Sequence, residues 1–145
     1  MTRFLAFVAG LMALVLPVRA QAPADPPRPY VPRAEVWVAQ AGYGSSRAWN
    51  FIGLSYDVVQ TEHASLYAAA GFGTILVGVG AAYYTQRQGN GLVLSATAGI
   101  AGAHASASYQ VRLAPGGYLV AGVSVGNYFL QHEGLMAIVG YEHRF

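Results

Sequence analysis

The stretch AHASASYQVRL, which runs from Ala103 to Leu113, alternates strictly between apolar and polar residues. Alanine, tyrosine, valine and leucine occupy its odd-numbered positions, and histidine, serine, glutamine and arginine occupy its even-numbered positions. Successive side chains of a β-strand point to opposite faces of the sheet, so this period of two predicts a strand. The strand would have one apolar face and one polar face.

The same alternation recurs in seven further segments between Ala34 and the C-terminus, separated by short turn-like stretches. The apolar phase flips at Gly73 and again at Ala101-Gly102, as expected where a chain reverses direction. Short connections favour antiparallel neighbours, and eight such strands can close into a barrel that leaves no exposed edge. The sequence therefore predicts an all-β, eight-stranded antiparallel up-and-down β-barrel.

Three places interrupt this alternation. Leu76 falls on the polar face of a segment whose apolar face is expected to begin with Ile75. Asn50 and Phe51 look exchanged with respect to the residues that follow them. The phase of the first segment is ambiguous, because two pairs of apolar residues compete for the same face: Val36 with Val38, and Trp37 with Ala39.

Composition indicates which face meets the surroundings. The chain is 54% hydrophobic and 10% charged, whereas soluble domains carry about 25% charged residues. We therefore predict a transmembrane barrel whose apolar face turns outward into lipid. Strands of roughly ten residues at about 3.3 Å each, tilted by about 40°, would reach about 25 Å, the height of the apolar band of an outer-membrane barrel.

The polar face carries the charged residues of the clearest strands, and on this assignment it lines the lumen. Unpaired charges in a narrow lumen are costly, and eight strands leave room mainly for side chains. We therefore expect a charge network in a plugged lumen, although the many small residues of this face leave a thin file of water as an alternative. The four residues expected to form this network are Asp57, Arg112, Glu142 and Arg144.

Aromatic residues cluster near the ends of the predicted strands, as membrane interfaces select. If the N-terminus starts on the periplasmic side, one belt lies at the periplasmic end and a second belt at the opposite rim. The residues expected in the two belts are Tyr56, Phe72, Tyr83, Tyr109, Phe129, Tyr141 and Phe145.

The N-terminus has the three-part pattern of a secretory signal peptide. Arg3 precedes an uninterrupted apolar run from Phe4 to Leu16, and Ala20 supplies the small residue needed for cleavage. Residues 21–32 hold five of the seven prolines and predict a disordered leader. We therefore expect a signal peptide at residues 1–20, a leader at 21–32 and a barrel domain at 33–145.

Several classes of function are excluded by composition. The chain has no cysteine, so it has no disulfide, thiolate metal site or thiol nucleophile. All eight basic residues are arginines and the formal net charge is +2, which gives no footprint for nucleic acid. The four histidines show no ligand spacing with carboxylates, so we expect neither a metal nor a cofactor.

One pair of residues could carry catalysis. His104 and Ser106 lie two positions apart, on the same face of the strand described first, and with a carboxylate they could form a hydrolase site. No carboxylate occurs between Ser106 and Glu133. A polar pair satisfied inside the barrel is the expected outcome, and the two residues remain weak catalytic candidates.

The chain resembles the bacterial outer-membrane β-barrels, in particular the small eight-stranded class typified by OmpA and OmpX. The resemblance covers residues 33–145 as a pattern and implies a Gram-negative outer-membrane location, contact with outer-membrane lipid and lipopolysaccharide, and recognition by the barrel-assembly machinery. His143 departs from that family, which usually has tyrosine or an apolar residue there. The residues that carry the resemblance to the family's C-terminal assembly signal are Val139, Tyr141, His143 and Phe145, together with Ala137.

Three hypotheses for function remain open at this point. Short outward connections disfavour an adhesin or receptor, so the first hypothesis is a structural protein of membrane integrity, expected to be a monomer. The second is a narrow passive pore. The third is a lipid A-modifying hydrolase, because lipid A deacylases of this class carry a similar His-x-Ser; in them an asparagine follows the serine, whereas Ala107 stands here. A helical membrane protein is the rival fold, since residues 64–85 carry no charge.

Overall fold

A computed structural model describes residues 35–73, 75–128 and 131–145. The predicted signal peptide at residues 1–20, the predicted leader at 21–32 and Phe129 lie outside the described residues.

The chain forms eight β-strands joined in sequence order into one closed barrel. Every strand is antiparallel to its neighbours, and the first strand pairs with the last to close the sheet, with Gln40 opposite Glu142. This confirms the predicted all-β, eight-stranded antiparallel barrel. The strands are β1 (Trp37–Tyr43), β2 (Asn50–Gln60), β3 (Ala64–Gly73), β4 (Val77–Tyr84), β5 (Gly91–Gly99), β6 (Gly102–Ala114), β7 (Gly117–Tyr128) and β8 (Gln131–Arg144).

The two ends of the barrel differ in their connections. β1 begins and β8 finishes at the same end, here called the terminal end, which also holds the turns at residues 61–63, 85–90 and 115–116. The connections at residues 44–49 and 100–101 lie at the opposite end, here called the loop end. The segment 64–85, for which a helix is the rival prediction, contains β3 and β4 instead. Among the described residues there is no helix long and apolar enough to cross a membrane.

The apolar face of the sheet points out of the barrel and the polar face points in, as the alternation predicts. Phe72 and Val79 on the outer face are 74% and 66% exposed. Thr97 and Gln110 on the inner face are 3% and 0% exposed. The first strand follows the same rule, since Trp37 faces outward and Val38 is fully buried, which settles the ambiguous phase.

Local irregularities explain the other two interruptions of the pattern. The pairing of β2 with β3 shifts between Asn50 and Ile52, and this bulge turns Asn50 inward while Phe51 and Ile52 both face outward. The expectation that Ile75 begins an outer face is wrong. β4 starts at Val77, so Ile75 belongs to the preceding connection and is fully buried, while Leu76 is 45% exposed.

Most of the aromatic side chains expected at the membrane interfaces project from the outer wall. Tyr109 differs from the others because it is half-buried. At the C-terminus, the His143 ring stacks between its neighbours, with centroid distances of 6.4 Å to Tyr141 and 5.9 Å to Phe145. Of the aromatic residues expected in the two belts, the ones exposed by at least 40% are Tyr56, Phe72, Tyr83, Tyr141 and Phe145.

Glycines on the inner face make room for large side chains that fill the lumen. A Cβ atom at Gly80 would lie 2.6 Å from the Tyr67 ring and 2.6 Å from the Ala96 carbonyl oxygen. A Cβ atom at Gly126 would lie 2.6 Å from the Cβ of His104. Some inner-face positions are therefore glycine because side chains from neighbouring strands fill the space beside them.

We expect the substitution Gly80→Ala to destabilise the barrel by about 1–3 kcal/mol, the usual effect of overpacking. The added methyl group would displace the Tyr67 ring, whose hydroxyl donates to the Arg47 carbonyl oxygen at 2.7 Å. Urea unfolding in detergent would measure the change. Gly89→Ala is the matched control, because there the nearest atom is the end of the exposed, flexible Gln86 side chain; equal stability losses in the two variants would contradict the expectation.

Candidate functional site in the barrel lumen

The connection between β1 and β2 folds into the barrel instead of projecting from it. We call residues 44–49 the plug loop. Ser45, Ser46, Arg47 and Ala48 are each at most 1% exposed. The Ser45 hydroxyl oxygen turns the loop by accepting the N–H of Ala48 at 2.9 Å and that of Arg47 at 3.1 Å.

Side chains from four strands hold the backbone of the plug loop. Glu142 of β8 accepts the Ser46 N–H at 2.6 Å through Oε1. Ser95 of β5 and Ser106 of β6 donate to the Ser46 carbonyl oxygen at 2.6 Å and 3.1 Å. Tyr67 of β3 donates to the next carbonyl oxygen along the loop. A loop buried in this way needs such partners, because unsatisfied backbone groups are costly away from water.

The Arg47 side chain extends from the plug loop into the lumen and is fully buried there. It forms a bidentate ion pair with Asp57, with Nη1–Oδ1 and Nη2–Oδ2 distances of 2.7 Å and 3.0 Å. Its Nε donates to the Tyr84 hydroxyl at 3.0 Å, and its guanidinium lies 5.0 Å from the centroid of the Tyr67 ring. Planar guanidinium groups suit this combination of bidentate and aromatic contacts.

A second arginine enters the lumen from the terminal end. Arg87 lies in the turn between β4 and β5, is 2% exposed, and donates through Nη2 to Asp57 Oδ2. Its turn is fixed by Gln110, whose Nε2 donates to the carbonyl oxygens of Gln86 at 2.8 Å and Gly89 at 2.7 Å. The Asp57 carboxylate therefore ties together two connections that come from opposite ends of the barrel.

The last strand completes the network. Arg144 Nη2 lies 3.3 Å from Glu142 Oε2 and donates to Gln110 Oε1 at 2.6 Å. Its Nη1 donates to the Arg87 carbonyl oxygen at 2.5 Å. The Arg144 guanidinium also lies 4.1 Å from the centroid of the Tyr118 ring.

Three of the four residues predicted to form the charge network, Asp57, Glu142 and Arg144, lie buried in the lumen. The structure places Arg112 at the terminal rim instead, where it donates to the carbonyl oxygens of Gln88 at 3.1 Å and Ala114 at 3.3 Å. Sequence reasoning missed Arg47 and Arg87, because both lie in connections. The charge balance of the inner face gave no signal, because the predicted network already paired two carboxylates with two guanidinium groups.

The structure brings His104 and Ser106 to the inner face, but it does not join them into a catalytic pair. The Ser106 hydroxyl lies 2.8 Å from that of Ser95. Neither ring nitrogen of His104 has a hydrogen-bond partner among the described residues. Activation of a serine nucleophile needs a hydrogen bond to its base, and this arrangement does not supply one.

The described residues contain no group of three or more histidine, cysteine, aspartate or glutamate side chains that could hold a metal ion. Comparison with known proteins finds no matching family model, no matching curated protein and no matching solved structure.

Proposed function

We propose that the protein is an integral outer-membrane barrel with a closed lumen, and that it acts as a structural component of the membrane. The observation that carries this proposal is the Asp57 carboxylate, fully shielded from solvent, which binds Arg47 from the loop end and Arg87 from the terminal end. A permanent aqueous path would have to pass this cluster. Eight-stranded barrels are also narrow enough for side chains to fill them.

The outer wall supports the membrane location. Its apolar side chains form a continuous exposed surface, which would be a severe liability in water but is the normal surface of a membrane barrel. Outer-membrane lipid and lipopolysaccharide are the proposed partners of this wall. The C-terminal strand, with Val139, Tyr141, His143 and Phe145 projecting outward, is proposed to be recognised by the barrel-assembly machinery, and the assembled protein to be a monomer.

The connections support a structural role over recognition. At the loop end, residues 44–49 fold into the lumen and residues 100–101 form a tight turn. Receptors and adhesins of this architecture expose long loops, and these two connections offer no comparable surface. A passive pore remains the second candidate, and it would require the plug loop to leave the lumen.

We expect the purified protein, inserted into planar bilayers, to show no stepwise ion current. A variant with residues 45–48 replaced by glycine would serve as the positive control, since it removes the Arg47 side chain and the Ser45 hydroxyl that turns the loop. Slower migration after boiling than before would show that each protein had folded. Regular current steps from the unmodified protein, at a size equal to that of the glycine variant, would favour the pore.

A further inference from the structure

The described part of the lumen holds an unequal number of buried charges. Three guanidinium groups, those of Arg47, Arg87 and Arg144, are at most 2% exposed. Two carboxylates, those of Asp57 and Glu142, are at most 3% exposed. The formal charge of this cluster is therefore +1, the difference between three and two. A buried charge without a partner is strongly unfavourable.

Both carboxylates already have arginine partners. Asp57 uses Oδ1 for Arg47 and Oδ2 for Arg47 and Arg87. Glu142 uses Oε1 for the Ser46 N–H and Oε2 for Arg144. The third guanidinium group therefore has no carboxylate of its own within this cluster.

The unused hydrogen-bond donors are concentrated on two of the arginines. Nε and Nη1 of Arg87 and Nε of Arg144 are buried and have no partner within the described part of the chain. Both guanidinium groups lie against the same Tyr84 ring, each with its Cζ 5.1 Å from the ring centroid. Arg47, by contrast, uses all three of its guanidinium nitrogens.

We propose that the lumen binds one small monovalent anion of the halide class on the free N–H groups of Arg87 and Arg144. A single negative charge would neutralise the cluster, whereas a divalent oxyanion would reverse its charge. Tyr84 and Tyr118, the rings that these guanidinium groups contact, are fully buried, so the donors are enclosed and a single-atom ion suits them better than a larger organic acid. The anion would then be an internal counterion that completes the packing of the plugged barrel.

A carboxylate of the chain itself is the competing source of negative charge. Glu35 lies at the terminal end, beside the start of β1, and its Oε2 is buried without a hydrogen-bond partner among the described residues. If Glu35 neutralised the cluster, the folded protein would need no halide. The experiment must therefore separate these two sources.

The test uses the full chain purified in detergent and exchanged into sodium bromide or sodium gluconate at equal ionic strength. In crystals grown in bromide, we expect an anomalous scattering peak in contact with the free N–H groups of Arg87 and Arg144. In urea titrations above the dissociation constant, a tenfold rise in bromide should raise the ratio of folded to unfolded protein by up to about tenfold, because the anion binds the folded state. Gluconate is too large for the site and should have no such effect.

Two variants complete the test. Arg87→Gln removes the excess charge and should abolish the dependence on bromide, while Glu35→Gln should retain it. The absence of both the anomalous peak and the bromide dependence in the unmodified protein would overturn the proposal, whatever the stability of the variants. A bromide dependence that emerges only in Glu35→Gln would overturn it as well, and would identify the Glu35 carboxylate as the counterion.

Discussion

The substitution Asp57→Asn is expected to destabilise the folded barrel by about 3–5 kcal/mol, the usual effect of removing one partner of a buried ion pair. It leaves the Arg47 and Arg87 guanidinium groups buried without their shared carboxylate. Urea unfolding in detergent would measure the loss. The two tryptophans would report it by fluorescence, since Trp49 ends the plug loop at 6% exposure and Trp37 lies on the outer wall at 40% exposure.

Glu62→Gln is the matched control for this substitution. Glu62 is an exposed carboxylate in the turn between β2 and β3, and its neutralisation should change stability by less than about 0.5 kcal/mol. Equal stability of Asp57→Asn and the unmodified protein would show that the Asp57 cluster does not hold the lumen closed. The proposed closed barrel would then lose its main support.

The second large effect concerns the outer wall. Val79→Arg should destabilise the protein in lipid vesicles by about 2–4 kcal/mol, as a charge on the lipid face near the bilayer midplane does. Val79 is the third residue of β4 and is 66% exposed. It lies opposite Ala98 of β5 and opposite Ala68, the fifth of the ten residues of β3. Urea unfolding of the protein in vesicles would measure the change.

Gln86→Arg adds the same charge outside the apolar wall and should have little effect, because Gln86 is exposed in the turn at the terminal end. The size of the stability difference between the two variants separates the proposed membrane barrel from a barrel in water. In water, an arginine at an exposed outer position would be nearly neutral. Stabilities that do not differ between the two variants would therefore contradict insertion in lipid.

The barrel itself is largely predictable from sequence because strand geometry has a period of two. A shift of one position moves every side chain of a strand to the other face, so the long alternating run from Ala103 to Leu113 fixes its orientation. The predictions fail where the backbone departs from regular pairing. The bulge after Asn50 and the connection that contains Ile75 both change the phase locally. The sequence shows the alternation interrupted at both places, but it does not show whether a bulge or a connection causes the interruption.

The candidate site is less predictable, for a different reason. Alternation assigns Asp57, Glu142 and Arg144 to the lumen because all three lie on strands. It says nothing about side chains in connections, so Arg47 and Arg87 could not be placed. Alternation also assigns Arg112 to the lumen, and this is wrong. Arg112 lies near a strand end, where its long side chain reaches the rim and donates to backbone carbonyl groups.

Because the plug loop and polar side chains fill the interior, the barrel should accept substitutions differently at interior and outer positions. In a soluble protein, interior positions accept one apolar residue for another and surface positions accept most polar ones. On the proposed insertion in lipid, the outer wall needs only apolar character, so Val79 and Leu66 should be freely exchangeable with isoleucine or methionine. Interior positions such as Gln110 and Tyr67 each serve a specific hydrogen bond. We therefore expect the opposite of the pattern in a soluble protein. The polar residues of the lumen should tolerate few substitutions, and the apolar residues of the outer wall should tolerate many.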